Sequence, residues 1–233
     1  MIKTRWNTYF LIFVLSILFV DLLLISLNSF HVESVFRPVY NVFFYHVSSA
    51  WLSYLTFTVS LICSVMYLKT KEMKWSRYGK NSVLIGVLFA AVALITGSLW
   101  FNATSGNYQN IFWNWDPRQT MTLVLLFSYI SYLIYWSMIE DPTQKAKLTS
   151  ILGIVLFPTV PLSYFAAIIF ASLHPLIEPS PSNIYWDPFK IFTLIFTVIT
   201  VTIFYIYTLK KLGELDERKA KLGGLYHKKM EEE

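Results

Sequence analysis

Six stretches of about twenty mostly apolar residues, set between charged or turn-forming breaks, constrain this chain more than any other feature. About twenty helical residues are what crosses a hydrocarbon layer of about 30 Å. The stretches run approximately from Tyr9 to Leu27, Val47 to Leu68, Ser82 to Trp100, Met121 to Ile139, Leu148 to Leu173 and Phe189 to Leu209. In lipid every backbone polar group must bond within the chain, and nothing here alternates polar and apolar residues as barrel strands do, so the expected spans are helices. Only 14% of the 233 residues are charged and 55% are apolar, against roughly a quarter charged in a soluble domain. The expected fold is an all-α integral membrane protein, a bundle of six transmembrane helices.

Positive charge predicts its orientation, because cytoplasmic loops retain Lys and Arg. Sixteen of the nineteen basic residues fall on the side of the two termini, and only Arg37, Arg118 and Lys190 fall on the other. Both termini are therefore expected in the cytoplasm. The formal charge of +5 reads as topology, and its spread along one edge gives no reason to propose a nucleic acid partner. The amino end is long enough to span and lacks an Ala-x-Ala cleavage site, so it reads as a first helix and not as a removed signal peptide. Residues 1–209 form the membrane domain in this reading. Residues 210–233 form a charged cytoplasmic tail, helical or disordered, in which His227 is given no chemistry. The single Cys63 forms no internal disulfide, and no Cys-x-x-Cys pair is present to hold zinc or attach a cofactor covalently.

The residues with chemical character gather in the three outer loops, approximately 28–46, 101–120 and 174–188. Three of the four histidines, His31, His46 and His174, are there, the latter two expected where a loop meets a helix. The second loop and its approach carry Trp100, Tyr108, Phe112, Trp113 and Trp115, followed directly by Asp116, Pro117 and Arg118. Tryptophan and tyrosine also collect at headgroup depth in unrelated membrane proteins, so an interfacial belt and a ligand platform both account for the rings. A histidine at a helix end is equally suited to capping carbonyls. Taken jointly, two imidazoles at similar depth beside an aromatic platform suit the opposite axial positions of a haem iron. Arg118 or Arg37 then offers a guanidinium for the propionates, unless it pairs with Asp116 or Glu33. Asp21 is the one carboxylate well inside a span, where an ionisable group needs a partner; a hydroxyl or Arg118 is expected to supply it. Pro158 and Pro161 should kink the fifth helix.

These motifs resemble a known family. Gly97-Ser-Leu-Trp100 through Trp113-Asn-Trp-Asp-Pro-Arg-Gln-Thr120 is similar to the tryptophan-rich WWD signature of membrane proteins that handle haem for cytochrome c assembly. Tyr45-His46-Val-Ser-Ser-Ala-Trp51 resembles the family's first external histidine motif, and Leu173-His174-Pro175 falls at the place of the second. Six helices, this length and the absence of histidines within the spans point to the haem exporter protein C (CcmC) branch, not the larger synthetase. The resemblance covers approximately residues 40–175. Ser48 departs from it, where many relatives carry Pro, as do Tyr108 and Phe112, where tryptophan is common.

The resemblance implies that His46 and His174 are axial ligands of non-covalent, b-type haem. It also implies that Trp100, Trp113, Trp115 and Asp116 belong to the platform, beside Arg118. It implies partners as well: an ABC-type ATPase and permease in the bacterial cytoplasmic membrane, and a membrane-tethered periplasmic haem chaperone. The protein would then be a carrier and not an enzyme. A secondary transporter using Asp21 and the kinked helix is an alternative, but polar groups are few within the spans; a structural subunit without bound haem is another. A retinal photoreceptor is disfavoured, since no lysine lies within a span to form a Schiff base.

Overall fold

In a computed structural model the backbone is described for residues 2–29, 37–104, 112–170, 172 and 188–232, and side chains for 7–28, 41–101, 112–170, 172 and 188–223. Among these residues seven α-helices follow one another: α1 (Ile2–Ser29), α2 (Arg37–Thr70), α3 (Met73–Thr104), α4 (Pro117–Met138), α5 (Pro142–Leu156), α6 (Thr159–Ile169) and α7 (Pro188–Glu232). No strand occurs among the described residues. Among the described residues six spans are long and apolar enough to cross a membrane: Asn7–Asn28, Asn41–Thr70, Met73–Phe101, Pro117–Met138, Pro142–Ile169 and Pro188–Gly223. These are the six expected spans, with α5 and α6 sharing one.

The shared span breaks where proline removes backbone donors. Pro158 and Pro161 have no N–H to give, α5 ends at Leu156, and α6 restarts at Thr159 after a turn closed by the Val160 N–H on the Phe157 carbonyl at 2.9 Å. The expected kink site is thus a two-residue break between α5 and α6, at which Phe157 and Pro158 keep right-handed helical dihedrals. At the same end of the bundle as the chain termini the connections are short. Lys71 closes α2 in the left-handed region at φ 59°, and Asp141 caps α5 by accepting from the Gln144 N–H at 2.6 Å. The opposite end carries the aromatic loop.

Helices that meet in lipid gain little from excluding apolar surface, so close approach and buried hydrogen bonds hold them together. The most extensive contact is between α2 and α3. It depends on Gly86, where an added Cβ would run into the Phe57 ring at 2.5 Å. Phe57 in turn stacks on Tyr129 of α4, centroids 3.7 Å apart. Between α1 and α7 the tie is polar: Asn28 donates to the Thr193 hydroxyl at 2.6 Å, and the Thr197 hydroxyl donates to Asp21 at 2.7 Å. Of the two partners expected for Asp21, the hydroxyl is the one found.

α7 is 45 residues long, about 68 Å at 1.5 Å per residue, which is more than twice the hydrocarbon thickness. The tail therefore continues the last span as helix. Asn81 of α3 holds it at Asp216, 2.7 Å away, and the Tyr78 ring lies so close to Gly213 that a Cβ there would clash at 2.7 Å.

Candidate functional site

The first expected ligand sits deeper than a loop edge. Pro38 occupies the first turn of α2, where a missing N–H is tolerated, so the helix begins at Arg37 and carries His46 inside the Asn41–Thr70 span. Nine residues of helix, about 13.5 Å, separate it from the helix start. The first two outer connections are correspondingly shorter than expected, with α3 running on to Thr104 and α4 starting at Pro117, whereas α6 stops at Ile169, short of the expected span end at Leu173.

His46 is fixed from two sides by α3. Its Nδ1 lies 2.9 Å from the Ala93 carbonyl and 3.4 Å from the Thr96 hydroxyl. A carbonyl only accepts, so Nδ1 carries the proton and Nε2 the lone pair, the tautomer that a metal-binding imidazole needs. Gly97 supplies the space: a Cβ at that position would stand 2.7 Å from His46 Cε1. The backbone of α3 thus sets both the ring's position and its chemistry.

The imidazole lines a cavity that is partly open to the surroundings. Its wall includes His46, Tyr54, Gly97, Trp100, Asp116 and Arg118. Four of the seven expected site residues, His46, Trp100, Asp116 and Arg118, therefore surround one space. Trp113 and Trp115 lie on the adjoining loop, packed edge to face with centroids 5.7 Å apart. Trp115 is 71% exposed and has a φ of 57°, a backbone state that costs a bulky residue about 1–2 kcal/mol. His174, His31, Tyr108 and Trp186 lie outside the described residues, as do the side chains of Arg37 and His227.

Asp116 begins α4. Its carboxylate accepts the Arg118 N–H at 2.9 Å, its carbonyl accepts the Thr120 N–H at 2.8 Å, and its own N–H donates to Asn114 Oδ1 at 3.1 Å. Ser172 donates to the same carboxylate, 2.9 Å from each oxygen. The alternative Arg118–Asp116 ion pair is not among the ion pairs of the described residues, and Asp116 takes the arginine's backbone N–H. The guanidinium lies over the Tyr164 ring at 5.8 Å, and every ion pair among the described residues is at the other end of the bundle. Arg118 is thus a cation beside the cavity with no carboxylate bound among those residues.

Several supporting residues carry no signal of function in the sequence. Gln119 donates to the Ser98 hydroxyl at 2.5 Å. Ser163 of α6 meets both the Tyr54 and the Thr122 hydroxyls at 3.2 Å, joining α2, α4 and α6 beneath the cavity. Among the described residues no three His, Cys, Asp or Glu side chains cluster to hold a metal ion. What they present is one oriented imidazole, aromatic walls and a guanidinium. That donor set suits an iron already held in a flat apolar macrocycle with acidic side arms.

The chain is similar to known proteins over most of its length. The sequence model of the family described as "Heme exporter protein C" matches residues 3–221. The chain is 28% identical over 200 residues to the protein of that name from Rhodobacter capsulatus, covering 81% of each chain. It is 29% identical over 168 residues to the one from Bradyrhizobium diazoefficiens, covering 70% of this chain and 62% of that one. A ccmC-like mitochondrial protein of cytochrome c biosynthesis from Marchantia polymorpha is 32% identical over 124 residues, 53% of this chain and 51% of its own.

Proposed function

The chain belongs to the haem exporter protein C family, and from that premise we propose that it is a multi-pass protein of the bacterial cytoplasmic membrane that handles haem for the maturation of c-type cytochromes. It holds haem at the outer face and delivers it to a membrane-tethered haem chaperone, working beside an ABC-type ATPase and permease. The distribution of basic residues supports this orientation: sixteen of nineteen lie on the side of the termini, which leaves the cavity facing away from the cytoplasm. It is a carrier, and no substrate is turned over.

The observation that carries the reading is the pinned His46, whose Nδ1–H bond to Ala93 keeps Nε2 basic at the wall of a cavity shared with Trp100 and Arg118. In this reading His46 and His174 take the two axial positions of the iron. Trp100, Trp113 and Trp115 cover the macrocycle, Arg118 binds a propionate, and Asp116 holds the loop that bears the rings. The haem is non-covalent and b-type, since the lone Cys63 is buried and has no second thiol for thioether attachment.

The test is the visible spectrum of detergent-purified protein, wild type beside His46→Ala and His174→Ala. Low-spin absorption from two nitrogen ligands is expected in the wild type and its loss in each variant, with polypeptide yield retained. A wild type that binds no haem, or a low-spin band that survives both substitutions, overturns the proposal.

A further inference from the structure

Asp116 carries more acceptor capacity than its helix needs. An N-cap is satisfied by one side-chain oxygen on one N–H, and Ser or Thr serves as well as Asp. Here Oδ1 already accepts from the Arg118 N–H. The second carboxylate oxygen has a different use: the Ser172 hydroxyl lies 2.9 Å from both oxygens in a three-centre bond to an ionised acceptor, stronger than its neutral counterpart. The two residues are 56 positions apart, and Ser172 follows α6 just beyond Phe170, whose backbone is already extended.

Among the described residues this bond is the outermost of three polar contacts that join the outer half of α4 to α6 and its exit. Deeper in the bundle Thr122 meets Ser163, and between them Arg118 lies over Tyr164. The tie at Ser172 is the one nearest His174 in the chain. His174 follows Ser172 by two residues in the sequence, so a tie at Ser172 acts on the chain that leads to it.

We propose that Asp116 and Ser172 form a staple that positions the chain leading to His174 against the aromatic loop. Asp116 is then a positioning residue whose carboxylate is engaged by Ser172. The bond itself stands independently of haem; its consequence for the second axial ligand rests on the function proposed above.

Two measurements on the full chain in detergent test it. In haem-free protein, Ser172→Ala should speed hydrogen exchange of the backbone amides at 116–120 by about ten-fold or more, the scale of a lost hydrogen bond to a charged group, and Ser172→Thr should restore protection. Asp116→Ser, which keeps the cap and removes the second oxygen, should behave like Ser172→Ala, and the double variant should be no worse than either alone. In haem-loaded protein, Ser172→Ala should keep its haem but show the spectrum of His174→Ala, with Ser172→Thr again returning the wild-type band. Unchanged exchange at 116–120 in Ser172→Ala and Asp116→Ser overturns the staple. Faster exchange with an unaltered low-spin band overturns its positioning role. A wild type without haem absorption refutes the proposed function, while the exchange result still decides whether the staple exists.

Discussion

The two halves of the cavity are built on opposite principles. In the α2–α3 half, precision comes from missing atoms: Gly86 and Gly97 admit Phe57 and His46 to distances at which a single Cβ would clash, and the imidazole is held by a backbone carbonyl. In the α4–α6 half it comes from added ones: the hydroxyls of Thr122, Ser163 and Ser172 and the carboxylate of Asp116 bond across the gap between helices. The first half should fail when a methyl group is added, the second when an oxygen is removed. A rigid wall with one fixed ligand thus faces a wall fastened by polar bonds at the membrane edge, where water competes.

The largest effect tests the steric half. Gly97→Ala should displace the His46 ring and abolish its iron ligation, with a stability loss of about 1–3 kcal/mol from overpacking; haem titration followed by thermal denaturation measures both. Wild-type haem binding in Gly97→Ala would mean that the ring position is not set by α3. Next comes Arg118→Ala, expected to weaken haem binding about ten-fold or more through loss of a charge-assisted bond, with Arg118→Lys recovering only part because the two-pronged geometry is gone. Equal affinities across that series would remove Arg118 from the site.

Trp115→Gly separates strain from contact. Relief of the left-handed backbone should stabilise the haem-free protein by about 1 kcal/mol, while loss of the indole should lower haem affinity. A variant that gains neither stability nor a binding defect would show that the exposed ring is an interfacial anchor. The smallest effect belongs to the shared core beneath both halves. The buried Tyr129 hydroxyl has no hydrogen-bond partner among the described residues, so Tyr129→Phe should leave stability unchanged or raise it by about 1 kcal/mol. A large loss would place a bound water or partner at that oxygen.

How much of this was readable in advance follows from the range of each interaction. The six spans and the break at Pro158 are legible because bilayer thickness and the missing proline N–H act on contiguous sequence. The aromatic loop and Arg118 stand out by local composition. The depth of His46 is not legible from hydropathy, because the apolar run starts at Val47 whereas Pro38, suited to a first turn, lets the helix begin at Arg37. Asp116 stands out beside the aromatic loop, yet its long-range partner does not: nothing around Ser172 distinguishes it from the other serines of the chain.

By itself the sequence determined that this protein is a six-span helical bundle with its basic residues at one end and its aromatic loop between the third and fourth spans. Length, hydropathy and charge are summed along the chain and need no knowledge of neighbours. Only the tertiary structure decided which nitrogen of His46 carries the proton, why Gly97 must lack a side chain, and that Asp116 binds Ser172. Each of these depends on atoms from different helices meeting within about 3 Å, and hydrogen bonds and steric contacts fall away beyond that distance.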